Sequence, residues 1–519
     1  MGTPKLAGKS HAWTKSIFAE KERMMRKSRS LFFLILLAAF SLLLISRGFS
    51  KIDSPSETRK GNCTTVIVGK NATSDGSVIL AHNEDWGNYL RPLCWNPREP
   101  HKNGDFFRLK DGQTIPQIEE TSAFIWTAAE CNGTNEHQVS IADDTGSCRK
   151  ELFQNQRGLD LEEFVMLALQ RARSAREAVQ IMGDLIGKYG YRSYNGEDGD
   201  IFSIADPGEG WWMEVAIGGL WVAQRVPDDG FVVMANSYRI GQVDLNDRSR
   251  FLGASTLIDY AVKQGWHAPK RGPFNFDEVY GNPAVSKSPY NTRRAWRGNC
   301  LLAGKPFKEE GNPLTVIPDK KLRPRDLMAL LRDHYEGTEY DLGKKREKGS
   351  PHDTSERTIC VMATDASTVV QLRSWLPPEI GGVVWLSAGT PCSSVYVPYY
   401  LGVEEFPRPF SFISAGYDRE NAFWAFNSLE NLVDRYYGQK PKRNEAEVTA
   451  IDYVAGFWKA LEDEEFAAQE SVEKTALDLF GKKVSLMHSF LSAYSNALGI
   501  RAYNSALRLA DQLRTLYYR

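Results

Sequence analysis

The clearest pattern near the start of the globular sequence is a pair of short apolar runs separated by turn formers. Thr64-Thr65-Val66-Ile67-Val68 is followed by a Gly/Asn/Ser/Asp-rich segment and then by Ser77-Val78-Ile79-Leu80-Ala81. β-branched runs bounded by such residues predict two strands of a hairpin. The second strand ends in His82, Asn83, Glu84 and Asp85, so the hairpin returns four polar residues to the point where Cys63 opens the first strand. Short β-like runs continue to Cys148, among them residues 123–127 and 139–142. Residues 158–189 change to helical spacing, with Leu161, Phe164, Val165 and Ala168, then Ala178, Met182, Leu185 and Ile186. Four further runs, 201–205, 210–216, 220–226 and 230–236, are divided by turns such as Pro227-Asp228-Asp229-Gly230 and predict an antiparallel meander. From Ala446 to Arg519 the chain is nearly all helix former, with Tyr453, Phe457 and Leu461, then Leu486, Phe490, Leu491 and Tyr494, along one stripe. That stretch predicts a helical extension that packs on the preceding domain or makes a homo-oligomer contact.

The first 62 residues carry a different pattern. Residues 1–30 are polar and basic, residues 31–46 hold an apolar run flanked by Arg29 and Arg47, and residues 47–62 are polar and linker-like. The apolar run lies between the length of a signal core and that of a spanning helix, and the positive charge before it predicts that the chain beyond it is translocated. The expectation is a precursor held by a single N-terminal segment or led by a signal, with the rest in a secretory lumen, a periplasm or outside the cell. Sequons at Asn71 and Asn132 would accept glycans only on a eukaryotic secretory path, and the one at Asn62 would vanish on cleavage before Cys63.

Composition narrows the classes. The 519 residues are 42% hydrophobic and 25% charged with a formal net charge of -1, long enough for a large core and without a basic, aromatic-laced stripe for nucleic acid. Seven cysteines with no CxxC pair do not make a disulfide scaffold, although a translocated chain could pair some of them. The eight histidines show no HExxH motif and no ligand spacing with cysteine, so neither a metal nor another cofactor is expected. His352 and Asp353 lie in a Gly/Lys-rich stretch and are read as solvated.

Cys63 is the candidate nucleophile. A thiol attacks as thiolate and needs a base, yet no His lies on its strand. Cleavage between Asn62 and Cys63 would supply one, because the freed α-amine has a pKa of roughly 7.7–8.0 and lies within reach of its own side chain.

The stretch CTTVIVGKNATSDGSVILAHNEDW resembles the opening of the peptidase family C69 dipeptidases, N-terminal-nucleophile (Ntn) cysteine hydrolases related to penicillin V acylase and bile salt hydrolase. Further matches occur in order at Asn135-Glu136, residues 234–241, Tyr290-Asn291-Thr292-Arg293-Arg294-Ala295-Trp296, residues 357–362, and 370–398. The resemblance implies an α+β fold, a four-layer αββα sandwich over residues 63–440, with residues 441–519 as the helical extension. It implies hydrolysis of short peptides through an acyl-enzyme on Cys63, with no cofactor and no metal. Asp85 would hold the α-amine, Asn135 and Asn236 would stabilise the oxyanion, and Arg294 would bind substrate or nucleophile, unless it is a surface strand residue. Relatives carry Arg three positions before this Asp, where this chain has His82. If His82 is a cation there, activity falls as pH rises through its titration; it would otherwise be an uncharged hydrogen-bond partner. A non-peptide amidase of the acylase type and an inactive membrane-anchored scaffold remain as alternatives.

Overall fold

The computed structural model describes residues 62–86, 92–127, 132–193, 198–341, 349–352, 356–414, 416–441 and 448–517. The apolar segment 31–46, the basic residues before it and Asp353 lie outside the described residues. Among the described residues no helix is long and apolar enough to cross a membrane.

The predicted hairpin forms as β1 (Thr64–Val68) and β2 (Val78–Glu84), paired antiparallel with Thr64 opposite Asn83 and Thr65 opposite His82. This register sets Cys63 level with Glu84. Three further strands fix the site: β3 (Ser140–Thr145), β4 (Phe231–Met234) and β5 (Ala366–Leu372). One sheet has seven strands, in the spatial order Thr315–Val316, β4, β1, β2, β5, Val383–Ala388, Val397–Tyr400. β1 and β2 are therefore central, hydrogen-bonded on both edges. The second sheet has eight strands and runs from Phe251–Gly253 through the meander and β3 to Cys94–Asn96. Every ladder within both sheets is antiparallel.

Strand parity assigns each residue to a layer. Ile67, Val78, Leu80, Val232 and Val370 meet Ala142, Ile201, Trp212 and Val222 of the other sheet. Val66, Val68, Ile79, Ala81 and Val233 point the opposite way, onto two helices whose buried residues include Ala295, Leu302, Leu327 and Leu331. Helices α1 (Leu161–Arg171) and α2 (Ala175–Tyr189) cover the outer face of the eight-stranded sheet through Phe164, Val179 and Met182 against Phe202 and Met213. The helices on the seven-stranded sheet are α3 (Pro289–Ala303) and α4 (Pro324–Leu331). The packing order is thus helices, sheet, sheet, helices.

The helical spacing at 158–189 resolves into two helices, the second begun by Ser174, which accepts from the Glu177 N–H. Two expectations change. The predicted meander loses its fourth strand: β4 turns at Pro227–Gly230 and joins the other sheet beside β1, Thr65 opposite Met234. That crossing brings Asn236 to the start of β1. The YNTRRAW segment is helical, since Pro289 at the first turn and Gly304 in the left-handed conformation at the end bracket a 15-residue helix.

The C-terminal residues pack on the domain. Helices α5 (Ala422–Tyr436), α6 (Ala450–Lys482) and α7 (Val484–Leu516) contribute Leu429, Trp458, Ala502 and Leu509 to the inter-sheet core. Val472, Ala476, Met487 and Leu491 join the core beneath α3 and α4. Among the described cysteines, 63, 94, 148, 300, 360 and 392 are all free thiols.

Helix α3 lies close on β4 because Gly298 has no side chain; a Cβ there would come within 2.8 Å of Val233 Cγ1. Gly298→Ala should therefore lower stability by about 1–3 kcal/mol in urea denaturation, despite the better helix propensity of Ala. Gly456→Ala in α6, where nothing lies within 4 Å, should raise it by up to about 1 kcal/mol. Equal effects would contradict the close helix–strand contact.

Candidate active site

The same parity that sorts the core sorts the polar groups around Cys63. Cys63, Thr65, His82 and Glu84 face the space between the sheets, while Thr64, Asn83 and Asp85 face the helix layer.

On the inter-sheet side the groups form a chain. Cys63 Sγ lies 3.5 Å from Glu84 Oε1, and Glu84 Oε2 is 3.2 Å from His82 Nε2. His82 Nδ1 is 2.7 Å from Thr65 Oγ1, which donates to Asp144 Oδ2 at 2.5 Å. Because the Thr65 hydroxyl proton goes to Asp144, His82 Nδ1 must donate to Thr65. Nε2 faces a carboxylate and donates as well. A ring donating from both nitrogens is an imidazolium. Burial works against that charge, but the hydrogen bond and charge of Glu84, with Asp144 and Asp85 behind it, raise the His82 pKa above its ordinary value. Burial pushes Asp144 up to about 6, so it is ionised at neutral pH. Burial, followed by the charges of Glu84, Asp144, Asp143 and Asp85, pushes the Cys63 thiol well above its ordinary value.

On the helix side two buried arginines grip the backbone of Asn62 and Cys63. Arg294, on α3, spends all five donors. Its Nη1 reaches Cys63 O at 2.5 Å and Thr64 Oγ1 at 3.1 Å, Nη2 reaches Asn236 Oδ1 at 3.0 Å and Asn291 Oδ1 at 2.8 Å, and Nε reaches Tyr290 O at 3.0 Å. It is fully buried on a helix, which removes the surface-strand reading. Burial and, after it, the neighbouring charge of Arg357 lower its pKa to about 10, still far above neutrality. Arg357 donates to Asn62 O and to Asp85 Oδ2. Asp85 also accepts from Thr364 Oγ1 at 2.6 Å. Burial raises the Asp85 pKa, with Arg357 and Thr364 pulling it back only in part.

Of the six residues singled out in the sequence, Cys63, His82, Asp85, Asn236 and Arg294 converge. Asn236 has φ +57°, and its Nδ2 donates to Thr145 O at 2.9 Å. Asn135 does not join them. Its Nδ2 donates to Leu169 O and Ala172 O at the end of α1, and its Oδ1 accepts from His137 N and Val139 N. It is a turn residue that ties the helix end to the sheet. Asn132 stands nearer, with Nδ2 3.3 Å from Glu84 Oε2. Asn132, in one of the two candidate sequons, is buried, whereas Asn71, in the other, is exposed. Glu84, Asn132, Asp144 and Arg357 were not singled out for this chemistry. Glu84 could have been found, since it shares the strand face of Cys63 and His82; Arg357 opens the matched segment 357–362, but it is 295 positions from its partner and the match gave it no role.

The histidines are not all scattered. His334 and His352 lie with Cys360 and Cys392 in one cluster behind the Arg357 segment, and the His352 side chain is buried rather than solvated.

Comparison with known proteins gives the family. The sequence profile of Peptidase family C69 matches residues 62–103 and 113–449. The chain belongs to peptidase family C69. It is similar to a probable dipeptidase of Salmonella dublin, 30% identical over 66% of this chain and 82% of the relative. A probable dipeptidase of Latilactobacillus sakei is 29% identical over 72% and 82%. Dipeptidase A of Lactobacillus helveticus is 26% identical over 88% and 96%. In this C69 peptidase the matched region begins at Asn62, the residue whose carbonyl Arg357 holds.

The His82–Glu84 pair sets a pH signature. A pKa raised on folding adds stability below the ordinary value near 6.5, and that stability is lost as pH rises through the folded value. Glu84→Gln should move the His82 ring titration downward by NMR and flatten the fall in stability above about pH 6.5. An unmoved titration would show that Glu84 does not hold the proton.

Proposed function

We propose that this C69 peptidase is a dipeptidase of the N-terminal-nucleophile type, in which the sandwich presents Cys63 as the first residue of the mature chain. The observation that carries the reading is the grip on the Asn62–Cys63 peptide: Arg357 donates to the Asn62 carbonyl oxygen while Cys63 Sγ faces the Glu84 carboxylate. The dipeptidase names of the relatives supply the substrate class.

The uncut thiol is protonated, so its proton must leave as it attacks. Glu84 accepts that proton, Sγ bonds to the Asn62 carbonyl carbon, and the oxygen takes negative charge against the Arg357 guanidinium. The C–N bond then breaks, the proton goes to the departing Cys63 nitrogen, and water hydrolyses the thioester. The product is a free α-amine beside Asp85. In turnover this amine takes the thiol proton, Sγ attacks the substrate carbonyl, the amine returns the proton to the leaving group, and water then hydrolyses the thioester, releasing the acid and restoring the thiol. His82 as imidazolium holds Glu84 in place. Arg294 fixes the Cys63 carbonyl and the Asn236 amide, whose second N–H is the donor proposed for the developing oxyanion.

The N-terminal sequence and intact mass of the wild type and of Cys63→Ala test processing: the expected outcome is a chain beginning at Cys63 and an uncut variant. Processed enzyme should hydrolyse dipeptides in preference to N-acyl amino acids. A chain that keeps Asn62 would overturn the mechanism, and an acylase preference would overturn the substrate class.

Asn236→Ala, which keeps the nucleophile, should lower kcat on dipeptides by about 10²–10³-fold with little change in KM, as removal of one oxyanion donor does. A change confined to KM would assign Asn236 to substrate binding.

A further inference from the structure

The cluster behind the Arg357 segment has the donor set and spacing of a metal centre. His334 Nε2 and His352 Nε2 are 3.0 Å apart. Cys360 Sγ and Cys392 Sγ lie 3.8 and 3.7 Å from His352 Nε2, and all four donor atoms fall within 4.8 Å of one another. An ideal tetrahedron with metal–N near 2.05 Å and metal–S near 2.3 Å puts nitrogens about 3.4 Å apart and nitrogen and sulfur about 3.6 Å apart.

The outer contacts fit as well. His334 Nδ1 is 3.0 Å from Glu336 Oε1, and His352 Nδ1 is 3.0 Å from Asp434 Oδ1, which also accepts from Ser350 Oγ at 2.8 Å. A ring that donates from Nδ1 to a carboxylate offers its Nε2 lone pair, and this arrangement recurs behind metal-bound imidazoles. Here two such lone pairs converge on one point, which favours a cation between them. Two neutral imidazoles and two thiolates neutralise a divalent ion, so the centre can be buried without net charge. Tetrahedral S₂N₂ donors select zinc. A cavity of about 300 Å³ lined in part by Met328, Arg332, Cys392 and Ser394 provides a route in.

The four donors come from four separate places: the loop after α4, the short segment 349–352, the Arg357–Thr364 segment and the turn Pro391–Ser393. Cys360 N also donates to Asp333 O at 3.1 Å. Three residues before Cys360 stands Arg357, and four after it Thr364, the two side chains that hold Asp85. We propose that His334, His352, Cys360 and Cys392 form a structural zinc site that pins the Arg357–Thr364 segment beneath the nucleophile. On binding, each thiol releases its proton to solvent.

The site is independent of how Cys63 reacts, and its test reads metal directly. Elemental analysis of the purified full-length chain should give about one zinc per chain, lost in Cys392→Ser and in His352→Asn. Chelation should lower the Tm, and zinc should restore it. Replacement with cobalt should give tetrahedral d–d absorption and a thiolate-to-cobalt charge-transfer band in the wild type; this readout stands even if the variants fold poorly. A metal-free chain whose mass shows a Cys360–Cys392 disulfide, or a metal content unchanged by both substitutions, would overturn the proposal.

Discussion

A permanently charged guanidinium sits inside the protein with every N–H spoken for, and the candidate site depends on it. Arg294 joins the first residue of β1, the end of β4 and the first turn of α3 through neutral oxygens alone. An unpaired donor in that position would cost roughly 1–3 kcal/mol or more, so the five acceptors must be present together. The fourth run of the apparent meander pairs instead beside β1, and that position brings the Asn236 side-chain oxygen to Arg294.

Charge balance around Cys63 arises from strand alternation. Glu84 and Asp144 stand with His82 between the sheets, where the Cys63 thiol also points, and Asp85 stands with Arg357 and Arg294 on the helix side. The positive charge on His82 rests on Glu84, which accepts from Nε2, and on the Thr65 hydroxyl, which accepts from Nδ1 and gives its own proton to Asp144.

Much of this was legible in the sequence because the information was local. The hairpin register came from two apolar runs and one turn, which brought His82, Glu84 and Asp85 to Cys63. The family resemblance added Asn236 and Arg294. What could not be read depended on long-range packing. Asn135 looked like an oxyanion donor by position, but the end of α1 takes its amide. Arg294 was open to a strand reading until Pro289 and Gly304 were seen to bracket a helix. His334, His352, Cys360 and Cys392 have no motif spacing because four separate stretches of chain bring them together.

The contact between Arg357 and the Asn62 carbonyl spans 295 positions, the greatest separation among the side-chain contacts that build the site. Arg357 reaches that carbonyl only after β5, its neighbouring strands and the loops that buttress its own segment are assembled. The backbone just before Cys63 is thus anchored by a side chain from the far end of the catalytic domain's sequence, so the position of that backbone depends on the packing of a segment that shares no local structure with it.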